Sequence, residues 1–376
     1  MSYVAITQAV IKQYRTSFFE KLYLALRDEG IGLKILYGAP PMAELTKGDN
    51  VTLPKEFGEH VTNYWFIGNK LLYQPVVIEI IKADLVIVEQ ANKHLINYFL
   101  LLLSFLKLKK VAFWGHGRNR QAKKFGLSEW WKRAIVKRVD WWFAYTPEVA
   151  GYLSQLGVNP AIISNVQNSV DTTLFKQELS AISEINILEA RKELGLNEQA
   201  KVGLYCGAFY ADKHLNFLIE SAKEIKKEVP SFELIIIGNG PDAGLVVNAA
   251  RNEAWIHFLG AKFGQDKALY FSMADLFLHP GALGLAVLDA FCAHLPIITT
   301  NILTHGPEIA YIEGGKNGLI VNHDSKDYAK AVIELFANEN LFSEMRKGAA
   351  LSSDRYTVDE MVERFKSGII SCLSKV

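Results

Sequence analysis

His279-Pro280-Gly281-Ala282-Leu283-Gly284-Leu285-Ala286-Val287-Leu288-Asp289-Ala290-Phe291-Cys292-Ala293-His294-Leu295-Pro296-Ile297-Ile298-Thr299-Thr300 is the stretch on which the reading turns. Ala274–Leu278 before it is a short apolar run that reads as a strand, and 296–299 after it reads as another. Between them a glycine-bearing loop opens straight into a helix expected over about Leu285–Ala293. Such a loop presents free backbone N–H groups and the positive end of a helix dipole, which together bind phosphate. Asp289 falls one turn further on, where a carboxylate can accept the two hydroxyls of a ribose. The order is therefore phosphate first, ribose second, with the amides of Gly284, Leu285 and Ala286 as phosphate donors.

The chain around this stretch has 376 residues, enough for two ordinary domains, and half of them are hydrophobic. A net charge of +1 argues against a general nucleic-acid binder. Cys206, Cys292 and Cys372 are widely spaced in apolar surroundings and read as reduced core thiols with no zinc pattern. There is no Asp-x-Asp and no His/Cys cluster, so no metal and no cofactor is expected. The N-terminus runs directly into Tyr3–Thr7 without a charged and then apolar leader, so a cytoplasmic protein is expected.

Strand-like and helix-like segments alternate along the chain, which predicts α/β architecture with parallel sheets. Tyr3–Thr7, Leu33–Tyr37, Asp84–Glu89, Lys110–Trp114, Val139–Tyr145 and Ala161–Val166 are the strands of the first half. Thr16 or Ser17 is expected to cap a helix that Gly30 stops. Residues 176–199 read as a linker plus a leading helix. In the second half Val202–Gly207 runs into a loop carrying Lys213, Phe232–Ile237 into Gly238-Asn239-Gly240, and Trp255–Leu259 into Gly260-Ala261-Lys262. Lys213 alone could be a plain surface lysine, but its strand-glycine-loop setting favours phosphate contact.

The run Leu95–Leu108 is too short for a membrane span and reads as a buried helix. From Lys109 to Asp140 there are ten Lys/Arg against two acids, and five of the seven tryptophans fall between Trp114 and Trp142. Within it, 127–139 has helical spacing with tryptophans and cations interleaved. Two readings stay open: a basic amphipathic helix on an anionic membrane, or a core-facing helix with a solvated basic back.

The quoted stretch resembles the nucleotide-sugar motif of the retaining GT-B glycosyltransferases of family 4. That motif runs Glu, seven residues, Glu, with Phe-Gly-Leu-Val after the first acid. Asp289 stands at the second acid and Gly281 at the first, so the first acid is missing. Further resemblances are Asn168-Ser169-Val170-Asp171 to the family's Asn-Gly-Val-Asp, Gly207…Lys213 to Gly-Arg-Leu-x-x-x-Lys with Ala208 in the place of Arg, and 314–321 to an Asn-Gly-Leu-Leu-Val turn. Tyr14-Arg15-x-x-Phe18-Phe19 and Trp114-Gly115-His116-Gly117 resemble a subset acting in bacterial polysaccharide synthesis.

The resemblance implies two Rossmann-like doubly wound domains facing across a cleft. An N-terminal acceptor domain would span 1–170 and a C-terminal nucleotide-sugar domain 171–357, with a last helix of about 358–376 returning to the first. It implies transfer of a sugar, with retention, from a nucleotide diphosphate donor (UDP is expected) to a glycan or lipid-linked acceptor. The work would be surface polysaccharide synthesis at the inner membrane face. Donor contacts would be Lys213, Gly207, Gly281, Gly284, Leu285, Ala286, Asp289, Asn168 and Lys262, the last through its loop backbone. His116 would sit beside the sugar as the catalytic histidine. Arg15 and Tyr14 would be acceptor-side candidates, although Arg15 could equally pair with a structural carboxylate. The alternative is a non-catalytic scaffold on the same fold, motivated by Gly281 and Ala208. An epimerase or phosphorylase on the same frame is a third option.

Overall fold

The computed structural model describes residues 2–40, 51–117 and 135–375. The chain divides into two compact units, Met1–Asp171 with Val358–Val376, and Thr172–Thr357. The basic tryptophan segment of 118–134 lies outside the described residues.

In the first unit the order is β1 (Tyr3–Gln8), α1 (Thr16–Asp28), β2 (Gly32–Tyr37), β3 (Gly58–His60), β4 (Tyr64–Phe66), β5 (Leu71–Tyr73), α2 (Val77–Lys82), β6 (Leu85–Glu89), α3 (Leu95–Phe105), β7 (Lys110–Gly115), β8 (Trp141–Ala144), α4 (Pro147–Gln155) and β9 (Ile163–Asn165). Seven strands form one sheet in the order β3-β2-β1-β6-β7-β8-β9, and every pairing in it is parallel. The central strands carry continuous apolar runs because both faces are covered. One face holds a core of Phe18, Phe19, Leu22, Ile6 and Trp114. The other packs Val86, Val88, Leu100, Trp142 and Leu153.

The second unit runs α5 (Thr173–Ser180), α6 (Glu184–Glu193), β10 (Lys201–Cys206), α7 (Leu215–Glu228), β11 (Phe232–Ile237), α8 (Ala243–Asn252), β12 (Ile256–Phe258), α9 (Gly264–Met273), β13 (Leu276–Leu278), α10 (Ala286–Cys292), β14 (Ile297–Thr300), β15 (Gly318–Val321), α11 (Ser325–Ala337) and α12 (Glu339–Arg355). Its sheet order is β12-β11-β10-β13-β14-β15, again parallel throughout. Counted from the first strand this is 3-2-1-4-5-6, the doubly wound order. In that order ligands bind outside the carboxyl ends of the strands, where the winding reverses. Here that point lies between β10 and β13.

The last helix, α13 (Val358–Ser374), packs in the first unit against α1 and the sheet. Phe365 stacks flat on Phe143 with ring centres 4.2 Å apart and meets Phe18 and Trp114 edge-on. Gly368 allows the close approach: a methyl there would fall 2.5 Å from Ser164 Oγ and 3.0 Å from Trp141 Nε1. Lys110 Nζ, from β7, donates to the carbonyls of Cys372 (3.2 Å) and Leu373 (2.8 Å). Those are carbonyls that the end of a helix leaves without partners.

Three expectations are corrected. Neither Thr16 nor Ser17 caps α1, which begins after Arg15 with no side-chain cap; Ser17 Oγ instead donates to Asp171 Oδ2 at 2.6 Å. Of residues 176–199, the expected leading helix is α6, but the part before it is not a linker, because α5 and α6 both pack on α9, with Phe175 edge-on to Phe271 at 5.3 Å. Leu95–Leu108 is not a buried helix: only Ile96, Asn97, Leu100 and Leu101 of α3 are buried.

Candidate functional site

The loops that follow β10 and β13 touch directly at the reversal point of the second sheet. Ala282 N–H donates to the Asp212 carbonyl at 2.7 Å. Lys213 Nζ donates to the Ala282 carbonyl at 2.6 Å and lies 3.3 Å from Asp212 Oδ2. Gly281 is buried between them, and a methyl on it would overlap the Cα, carbonyl carbon and carbonyl oxygen of Lys213. The first acid of the family motif is therefore not merely absent. Its place is filled by the Lys213 backbone, and only glycine fits so close an approach.

Beyond that contact, a third loop braces the turn. Leu283 N–H donates to His305 Nδ1 (3.1 Å), and His305 Nε2 sits 2.6 Å from the Thr300 carbonyl. The two bonds assign the ring proton to Nε2 and make the buried imidazole neutral. Gly306 N–H donates to the Leu283 carbonyl at 2.8 Å. Glu308, in the same loop, is 4 % exposed. A methyl on Gly306 would overlap its Oε2, so the carboxylate folds over Gly306.

So held, the chain turns into α10 at Ala286. Gly284, Leu285, Ala286 and Asp289 are half-exposed among neighbours that are buried. The first intrahelical bond at this end is Val287 N–H to the Gly284 carbonyl, 3.2 Å. The amides before it face the helix start, where the positive end of the dipole lies.

Asp289 does not stand alone. Its Oδ2 accepts from Lys267 Nζ of α9 at 2.7 Å, and both side chains keep about a fifth of their surface in solvent. The Lys267 ammonium also lies over the Phe175 ring, 4.4 Å from its centre. Lys267 was not anticipated from the sequence. Nothing in its local pattern separates it from a solvated helix lysine, and its approach to Asp289 exists only after α9 packs beside α10. The half-buried Cys206 thiol, at the end of β10, is pushed up to about 12 by burial, so it is inert as a nucleophile.

His279 opens the stretch as a buried ring stacked between Tyr205 (5.1 Å) and Phe277 (5.9 Å). Burial pushes it down to about 3, with the Lys213 cation adding to the effect. Gly207 follows β10 and is half-buried beneath this ring. Lys262 lies in the loop after β12, 3.9 Å from Asp266 Oδ2.

The remaining expected residues belong to the first unit. His116, at the carboxyl end of β7, is exposed, with its ring 4.5 Å from that of Tyr145. Arg15 is buried; it donates to Tyr145 Oη at 3.1 Å and lies 4.7 Å above the Trp114 ring. Tyr14 is 43 % exposed beside it. Arg15 therefore orders the aromatic floor under His116. Asn168, after β9, is buried. At this sheet's own reversal point, burial pushes the Glu89 carboxyl up and the neighbouring His94 down to about 4; the two lie 3.6 Å apart. Among the described residues no group of three or more His, Cys, Asp or Glu could hold a metal ion.

Residues 200–338 match the family model described as Glycosyl transferases group 1. The alpha-monoglucosyldiacylglycerol synthase of Acholeplasma laidlawii is 26% identical over 183 residues, which is 47% of this chain and 45% of that protein. A D-inositol 3-phosphate glycosyltransferase of Streptomyces bingchenggensis is 24% identical over 246 residues, 60% of this chain and 51% of that one. The chain thus spans about half the length of the curated relatives it matches. The crystal structure of Anabaena Alr3699/HepE in complex with UDP superposes with a TM-score of 0.69 at 16% identity, covering 99% of this chain and all of that one. A glycosyltransferase of Rickettsia africae gives 0.70 at 12% identity over 100% and 99% of the two chains. The whole chain therefore has the two-domain fold of these glycosyltransferase structures, and residues 200–338 of its second unit match the group 1 glycosyl transferase model.

Proposed function

We propose that this GT-B chain is a metal-independent glycosyltransferase that takes a sugar from a UDP-sugar and passes it, with retention, to a hydroxyl of a glycan or lipid-linked acceptor. The observation that supports this most is the junction at the β10–β13 reversal point, where the Lys213 loop, Gly281, the start of α10 and Asp289 converge. In this reading the amides of Gly284, Leu285 and Ala286 and the Lys213 ammonium hold the diphosphate, while Asp289 takes the ribose hydroxyls. The loop after β12, with Lys262, meets the base. Fixed donors aimed at a leaving group that gains charge lower a barrier by about 3 kcal/mol each. His116 hydrogen-bonds the sugar, and Asn168 joins the donor side. Tyr14 and Arg15 shape the acceptor side through the aromatic floor.

The cellular role we propose is bacterial surface polysaccharide synthesis at the cytoplasmic face of the membrane, with the basic segment 109–140 turned to anionic lipid. The test is turnover: UDP-glucose and UDP-N-acetylglucosamine are incubated with lipid-linked and free glycan acceptors, and released UDP is measured. Acceptor-dependent release is expected. The second reading, a scaffold without activity, is favoured by Ala208 standing where the family has a second cation. It would be established by tight UDP binding with no release on any acceptor.

A further inference from the structure

A helix in a folded domain normally turns an apolar stripe inward and a polar one outward. α3 does not. Its buried positions are Ile96, Asn97, Leu100 and Leu101. Its outer positions are Leu95, Tyr98, Phe99, Leu102, Phe105 and Leu106, between 37 % and 62 % exposed, and none carries a charge. Only the Tyr98 hydroxyl is polar, and it donates to the Asn92 carbonyl at 3.1 Å.

The surface extends to both sides. Lys109 donates to the carbonyls of Ile81 (2.9 Å) and Ala83, tying α2 to the end of α3. α2 adds Ile78 and Ile81, which are 71 % and 64 % exposed. At the other end, Leu72 N–H donates to the Lys93 carbonyl at 2.7 Å, which ties the β4–β5 hairpin to the start of α3. The hairpin adds exposed Tyr64, Phe66 and Ile67. One-sided exposure on three adjoining elements of the same unit marks an interaction surface, not scattered apolar residues.

Charge around the surface selects its partner. Lys70, Lys93 and Lys107 are exposed at its rim, Lys82 there is paired with Glu79 at 2.6 Å, and the Arg138 guanidinium lies 5.1 Å from the Phe105 ring. The acids of the region are engaged, although Asp84 is itself exposed. Asp84 accepts from Tyr3 N–H (2.8 Å), Glu79 from Tyr3 Oη (2.9 Å), and Glu89 from Ala9 N–H (3.4 Å). The result is an aromatic and aliphatic centre inside a cationic ring. A neutral apolar protein partner has no use for the ring; an anionic bilayer uses both parts, since lysines reach the headgroups while their stems stay on apolar surface. α3 has 11 residues, about 16 Å at 1.5 Å each, too short to cross a bilayer. No described helix is long and apolar enough to do so.

We infer that the outer face of α3, with Ile78, Ile81 and the β4–β5 hairpin, lies in the interface of an anionic membrane with α3 parallel to its plane. This extends the membrane part of the proposed function to an apolar surface that precedes 109–140 and is flanked by its Arg138. It does not depend on the donor site, because vesicle binding needs no sugar transfer.

The experiment is co-sedimentation of the full chain with phosphatidylcholine vesicles, with and without about one-third phosphatidylglycerol. The expected result is binding to the anionic vesicles that weakens with salt. Leu102→Gln/Phe105→Gln should lower it by about tenfold or more with an unchanged melting temperature. Lys93→Gln and Lys107→Gln should each lower it about fivefold. Equal binding by wild type and the Leu102/Phe105 variant overturns the inference. So does absence of vesicle binding together with a dimer in light scattering that this variant dissociates, which would make a second copy the occupant. A fall in melting temperature for the variant, with no vesicle binding, would assign the face to the chain's own residues 118–134 and also overturn it.

Discussion

At Asp289 the sequence and the folded chain say related but different things. Its place one turn into a helix behind a glycine loop is legible without coordinates. Its ion pair with Lys267 at 2.7 Å is not, because the partner comes from a helix 22 residues earlier. The pair fixes one carboxylate oxygen and leaves the other for a ligand. Removing the carboxylate from a charge-assisted contact costs about 1.5–3 kcal/mol, so Asp289→Ala should weaken UDP binding by about tenfold or more in calorimetry. Lys267→Met should weaken it less, by several-fold, because the carboxylate remains but loses its fixed orientation. Loss in Lys267→Met as great as in Asp289→Ala would mean that the lysine itself contacts the ligand.

Gly281 is the sharper residue-scale case. Against the family motif it reads as a lost acid, and that reading alone suggests that restoring glutamate would restore function. The packing contradicts this, since any side chain there meets the Lys213 backbone. Gly281→Ala is expected to lower stability by about 1–3 kcal/mol, the usual range for overpacking, and to weaken UDP binding together with it. Urea unfolding and calorimetry on the same variant measure both. An unchanged midpoint would show that the loops part without cost.

Among the elements, the long central strands were readable because a strand buried on both faces is a run of Val, Ile and Leu. The three-residue strands β3, β4 and β5 were not, since they lie outside the regular strand–helix alternation. The polar helix α5 reads as linker material because its packing on α9 uses few apolar residues, Phe175 chief among them. α13 carries the clearest energetic prediction at this scale. Phe365 is fully buried against Phe143, Phe18 and Trp114. Phe365→Ala should cost about 3–5 kcal/mol, and hydrogen exchange should report the loss in β7, β8 and α1, with the second unit's amides unchanged. Uniform loosening of both units would contradict the assignment of α13 to the first.

For the molecule as a whole, each unit buries an imidazole that desolvation pushes down: His94 in the first, to about 4, and His279 in the second, to about 3. Desolvation is the main cause in both. A histidine in the unfolded chain titrates near ~6.5. Above that value both states are neutral and the stability is whole. Below it the unfolded chain binds protons that the folded chain refuses, so stability falls as pH drops from ~6.5 towards these depressed values, by about 1.4 kcal/mol per unit for each histidine. Urea unfolding at pH 7.5 and 5.5 should show the loss, and His279→Phe should make the second unit's dependence shallower. A slope identical in wild type and variant would remove His279 from the account.

The parallel α/β plan was legible from alternation, and the donor site proposed here was placed from one glycine loop. The meeting of the β10 and β13 loops was not legible, because it joins residues nearly 70 apart in the chain. That meeting is the centre of the functional argument. The most direct test of it is a crystal structure of the protein with UDP. The account predicts the diphosphate on the amides of Gly284, Leu285 and Ala286 beside Lys213, with the ribose hydroxyls on Asp289. UDP bound away from residues 284 to 289 would contradict it.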